Sequence, residues 1–166
     1  MDPSVPDVDS SVSIINFYCR EFYRDMVEDD PHQIPEPLGN LVYVRCFVDA
    51  EHSGNVITIR SHSGVLLFVD NSLIKSFRNP QNTYKPITFG SELVALRIVR
   101  DMTLEIRIKL KMFGVILAGP ANTFCDNNGV VKNTIIPEST PSDNHNTIKY
   151  HCVPEAAAAG IMRVGT

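Results

Sequence analysis

Three acids in this chain, Asp49, Glu92 and Asp126, have the residue type and placement for phosphoryl chemistry. Asp49 ends the β-branched and aromatic run "LVYVRCFVDAEH", Glu92 opens the periodic run that starts at Ser91, and Asp126 follows the short stretch "NTFC". Each also has a plainer reading. Asp126 beside Asn127 makes a good helix N-cap, worth about 1 kcal/mol. Glu92 in a first helical turn complements the macrodipole, and Asp49, shortly before Ser53-Gly54-Asn55, suits a turn. It is the combination that points to chemistry. If the strand bearing Asp49 is central and the strand before Asp126 lies parallel beside it, both acids emerge at one sheet edge. A crossover helix on that face then presents Glu92 to them. Carboxylates gathered in this way repel one another unless cations intervene, and two Mg²⁺ or Mn²⁺ ions ~4 Å apart are the usual remedy. Hard oxygen ligands suit these ions rather than zinc. The matching reaction is in-line attack of water on a phosphodiester, with the second ion stabilising the leaving oxygen.

The elements that must hold the acids are legible from periodicity. Val42, Val44, Cys46 and Val48 alternate with Tyr43, Arg45 and Phe47, as a half-buried strand requires. "SHSGVLLFVDNSLIKSF" reads as two further strands joined by a tight turn at Asp70-Asn71, which predicts an antiparallel meander of three. From Ser91 to Phe113 the period changes. Leu96, Val99, Thr103, Ile106, Leu110 and Phe113 recur at helical spacing, while Arg97, Arg100, Arg107, Lys109 and Lys111 take the remaining surface. Gly114 stops this helix. "GVILAGP" then leads into a short strand, a helix from about Asp126, a proline-bearing loop and a last helix across "HNTIKYHCVPEAAAAG".

Residues 1–40 read as an appendage to a domain spanning 41–166. "INFYCREFYRDMVEDD" is compatible with a helix that Pro31 must end, and "PHQIPEPLGN" holds three of the eleven prolines, the composition of an extended linker. Charge divides the same way. Residues 1–40 carry nine acids against Arg20 and Arg24, a balance of -7, while 41–166 carry ten acids against thirteen bases, a balance of +3.

At 166 residues, 43% hydrophobic and 20% charged, the chain is long enough for one domain with a real core. A net charge of -4 argues against gripping nucleic acid by bulk charge alone. Four widely spaced cysteines without a C-x-x-C pair, and no secretory segment at "MDPSVPDVD", predict reduced thiols in an intracellular protein that is not secreted. No apolar run reaches the ~18 residues a membrane span needs. His145, His151 and Cys152, taken with Cys125, fit no zinc-ligand spacing. Ser61, Ser63 and Ser91 lack the G-x-S-x-G elbow of a serine hydrolase.

The stretches "FVDAEHSGNVITIRSHSGVLLF", "TFGSELVALRIV", "KLKMFGVILAGPANTFCDNNGVVKNTIIPEST" and "HNTIKYHCVPEAAAAGIMRVG" together closely resemble the ribonuclease H domain that ends the polyprotein of copia-type retrotransposons. The likeness runs from about Leu41 to Gly165, and "DPSVPDVD" with "PEPLGN" resembles the segment joining reverse transcriptase to that domain. The resemblance implies an α/β, ribonuclease H-like fold: a mixed five-stranded sheet, the meander plus parallel strands, with helices on both faces. It implies that the metal-binding and catalytic acids fall on Asp49, Glu92 and Asp126, the trio already singled out. It implies two Mg²⁺ or Mn²⁺ ions and hydrolysis of the RNA strand of an RNA–DNA hybrid, with the reverse-transcriptase portion of the same polyprotein as partner. Such a hybrid is recognised through 2′-hydroxyls and backbone shape. Arg60 and Asn127 are weaker candidates for backbone contact, and an exposed charge and a capping amide explain them equally well.

The chain also departs from these relatives. Their fourth acid lies downstream of the last strand, beyond "MRVGT", so a C-terminal helix is expected to be missing and cleavage impaired. A lysine run is replaced by Pro141, Ser142, Asp143 and Asn144, basic positions by Cys152 and Pro154, and a tryptophan by Ser76. Pro80 and Pro86 each remove a backbone donor. These changes point to drift in a truncated copy. The competing expectation is therefore an inactive remnant that folds and at most binds nucleic acid or polymerase partners.

Overall fold

The computed structural model describes residues 19–51, 62–80, 88–127, 131 and 147–165. Its centre is a five-stranded sheet of β1 (Val44–Glu51), β2 (His62–Val69), β3 (Ser72–Pro80), β4 (Ala121–Cys125) and β5 (Met162–Gly165), in the order β3-β2-β1-β4-β5. The first three strands pair antiparallel, while β4 and β5 add in parallel on the other side of β1. The α/β class and the mixed five-stranded sheet are thus as expected. The predicted turn lies at Asp70-Asn71, where Asp70 adopts φ 51. A short polar side chain tolerates that conformation, and Asp70 Oδ1 accepts the amide of Tyr43 at 2.9 Å, fastening the hairpin to the start of β1.

Helix α1 (Thr88–Met112) crosses from the β3 edge and packs on β1 and β2. Ala95, Leu96, Val99, Met102 and Thr103 form its buried stripe at three-to-four spacing. Lys109 and Lys111 sit in the last turn, where cations complement the macrodipole. Gly114 ends the helix at φ 74, and a Cβ there would stand 3.0 Å from the Glu36 carbonyl, so both conformation and space favour glycine. Helix α2 (Thr147–Ala158) packs on α1 and β5 through Val153, Ala156 and Ala157, with Pro154 fully buried inside it. The single core between sheet and helices gathers Val44, Cys46, Val48, Val65, Leu67 and Met162 with these helical residues.

Helices α1 and α2 share one face of the sheet, and Tyr43, Phe47 and Leu66 on the other face are 57%, 44% and 43% exposed. Two expectations are corrected. Phe113, assigned to the apolar stripe, is 79% exposed because the helix has already ended. Arg107, assigned to the surface, is buried. The chain before β1 lies against this end of α1, and Glu28 takes the Arg107 guanidinium in a fork, Nε and Nη2 each 2.7 Å from a carboxylate oxygen, while Nη1 donates to Gly119 O at 2.6 Å. Lys111 adds a 2.9 Å contact to the same carboxylate. Cys19 joins the core, and Leu38 N donates to Gly114 O. Residues 19–22 are helical, ending well before Pro31.

Candidate active site

The parallel pairing of β1 with β4 decides the site. Its register sets Val48 beside Cys125, so the next residues of each strand path, Asp49 and Asp126, come level at one edge of the sheet. Both strands alternate, with Val48 and Cys125 turned into the core and both acids exposed. The chain reaches β4 from β3 by way of α1, and the first turns of α1 bring Glu92 to the same edge, buried.

Glu92 is held by one hydrogen bond. Its Oε1 accepts the Asn127 side-chain amide at 2.9 Å, while Oε2 is buried without a partner among the described residues. Burial raises the Glu92 pKa, the bond from Asn127 partly offsets this, and the negative charges of Asp126 and Asp49 raise it further. Cys125 feels the same field. Burial pushes its thiol up, a backbone bond from Asn127 opposes this, and the charges of Glu92, Asp126 and Asp49 push it higher. The thiol therefore stays protonated beneath the acids.

The three expected acids are thus brought into one electrostatic neighbourhood. They do not already form a ligand shell: among the described residues no three His, Cys, Asp or Glu side chains are grouped to hold a metal ion. The donor set nonetheless suits a hard divalent cation. The charges of Asp126 and Asp49 raise the cost of ionising Glu92, and its unpaired Oε2 is the kind of buried acceptor that a cation would satisfy. Asp49, Glu92 and Asp126 would hold it.

Asn127 is positioned to orient Glu92, a role its neighbourhood to Asp126 in sequence does not disclose. Its carbonyl also accepts Val131 N at 3.1 Å; the rest of the helix expected from about Asp126 lies outside the described residues. Arg60 lies outside the described residues, as does His145. His151 Nδ1 shares a hydrogen bond with the Tyr23 hydroxyl, and burial raises the Cys152 thiol, the protein-internal roles preferred over a zinc cluster.

A groove of about 580 Å³ opens beside the two exposed acids, on the sheet face away from the helices. Phe47 and Phe124 stack across β1 and β4 with ring centroids 5.1 Å apart, and Gly64 and Arg78 border the groove toward β3. Alternation alone placed Phe47 on this face. Its partnership with Phe124 depends on the β1–β4 register, which no local pattern reveals.

Among the described residues no helix is long and apolar enough to cross a membrane. The sequence matches no protein-family model, and no curated protein matches it.

Proposed function

We propose that this chain is a ribonuclease H-like domain of a copia-type retroelement, a divalent-cation-dependent endonuclease acting on the RNA strand of an RNA–DNA hybrid. The observation that carries the reading is the meeting of Asp49 and Asp126 just past the last parallel pair of β1 and β4, with Glu92 buried beside them and one of its oxygens unpaired. The sequence resemblance assigns the same three acids. Two bound Mg²⁺ or Mn²⁺ ions would supply the Lewis acidity that activates water and stabilises the leaving oxygen. The chain's own part is positional. Asn127 fixes the Glu92 carboxylate, and the exposed Asp49 and Asp126 leave the site open to a phosphodiester backbone from solvent. The reverse-transcriptase portion of the same polyprotein, and the cytoplasm or nucleus where hybrids form, are the setting this implies.

A second reading, a folded domain that binds without cleaving, is favoured by one observation: the acids share a field but no group of three is closed around a metal position. One assay separates the two. Purified protein is incubated with labelled RNA–DNA hybrid and Mg²⁺ or Mn²⁺, in parallel with Asp126→Asn. Cleavage of the RNA strand that the substitution abolishes is the expected result. No cleavage with either ion, or equal cleavage by the variant, leaves the binding module.

A further inference from the structure

The two oxygens of Glu92 are not equivalent. Asn127 is fixed at its main chain, where the N–H donates to the Cys125 sulfur and the carbonyl accepts Val131 N at 3.1 Å, so its side chain approaches Glu92 from a set position. A carboxylate offers only acceptors, so the amide nitrogen is the atom that faces it, and Nδ2 donates to Oε1 at 2.9 Å. Oε1 is therefore engaged. Oε2, on a side chain only 6% exposed, has no hydrogen-bond partner and lies in the field of Asp126 and Asp49. We propose that Asn127 sets the ion selectivity of the acid site: by holding Oε1 it leaves Glu92 one oxygen for a cation, which favours Mg²⁺ or Mn²⁺ over Ca²⁺.

The ions differ in how many oxygens each demands. Mg²⁺ is small, keeps several of its waters and is satisfied by one or two carboxylates, whereas Ca²⁺ takes roughly six to eight oxygens and accepts a carboxylate through both at once. A carboxylate with both oxygens free can serve either ion. One whose Oε1 is held by an amide serves the smaller ion unchanged and denies the larger one a ligand. To gain that oxygen Ca²⁺ would have to break the Asn127 bond, a charge-assisted one on a buried carboxylate. The device is local, because the turn after β4 that delivers Asp126 also delivers the residue restraining Glu92. The inference rests on the proposed hydrolysis only in taking the acids as the place where a divalent cation sits.

The test follows Mn²⁺ bound to the full chain by electron paramagnetic resonance, without nucleic acid, and displaces it with Mg²⁺ or Ca²⁺. The parent should release Mn²⁺ to less Mg²⁺ than Ca²⁺. Asn127→Ala keeps the main-chain bonds to Cys125 and Val131, and its melting temperature in EDTA checks that the turn survives. In this variant the ratio of the Ca²⁺ and Mg²⁺ concentrations that half-displace Mn²⁺ should fall about tenfold or more, the size expected for loss of a ligand's hydrogen-bond partner. Asn127→Leu, which keeps the shape and lacks the donor, should give the same shift. Glu92→Gln retains the acceptor for Asn127 but offers an amide in place of the free oxygen, so it should bind all three ions weakly. A parent that binds no Mn²⁺ or prefers Ca²⁺ overturns the proposal, as does Glu92→Gln binding like the parent. An equal loss of all ions in the Asn127 variants overturns it too, since Asn127 would then only hold the site together. Altered ion preference without hybrid cleavage sinks the nuclease reading alone, and cleavage by a parent whose preference ignores Asn127 sinks this inference alone.

Discussion

Glu92 is the residue in which fold and chemistry conflict. Its folded pKa is raised, first by burial and then by Asp126 and Asp49. Its stabilising contribution is therefore complete below the ordinary carboxyl pKa of about 4.3 and is lost as pH rises through the raised folded value. Without divalent cations, ionising this half-satisfied carboxylate costs the native protein stability as pH rises. Glu92→Gln keeps the acceptor for Asn127 and removes that charge, so it should be more stable than the parent toward urea at pH 7 in EDTA. The gain should shrink toward zero below about pH 4. A gain of the same size at both pH values would mean that ionisation is not its source. The type of Glu92 and its place early in a helix were readable from the sequence. Its burial and its bond to Asn127 were not, because they require β4 to have returned beside β1.

At the scale of elements, the segment before β1 is tied to α1 by charge. Burial alone would raise the Glu28 carboxyl, but hydrogen bonds and charge from Arg107 and Lys111 bring it below the usual carboxylate range. Here the sign is opposite to that of Glu92. The stability from Glu28 is present above the ordinary carboxyl pKa and is lost as pH falls through its lowered folded value. Glu28→Gln leaves Arg107 buried without its counter-charge and should cost about 3 kcal/mol. Replacing the pair together, Glu28→Met with Arg107→Leu, should recover most of that loss. Urea unfolding of the two singles and the double measures it, and additive effects would show that the pair is not coupled. The helical period of α1 was plain in the sequence, but it put Arg107 on the surface. The partner that buries Arg107 lies 79 residues away, in an arm that reads as an appendage to the domain.

For the molecule as a whole, the meander, the long helix and the Asp70 turn followed from alternation, spacing and turn chemistry, each a local signal. Strand order was a matter of long-range pairing, and the adjacency of β1 and β4 entered only as the condition under which the acids could meet. The leading segment contributes Cys19 to the core and Glu28 to α1. A chain beginning at residue 41 should therefore melt roughly 10 °C lower, the shift expected for a loss of about 3 kcal/mol. An unchanged melting curve would make the segment a passenger. The outermost strand, β3, has a further consequence. Nine residues long, it has no strand on its outer side among the described residues, and Leu73 and Ile74 are about half exposed. Such a margin invites fibril growth by strand addition. This one carries Lys75 and Arg78 and closes on Pro80, which offers no N–H, so an incoming strand would have to bury cations and forgo a bond. Concentrated solutions of the protein should owe their clarity to those three side chains.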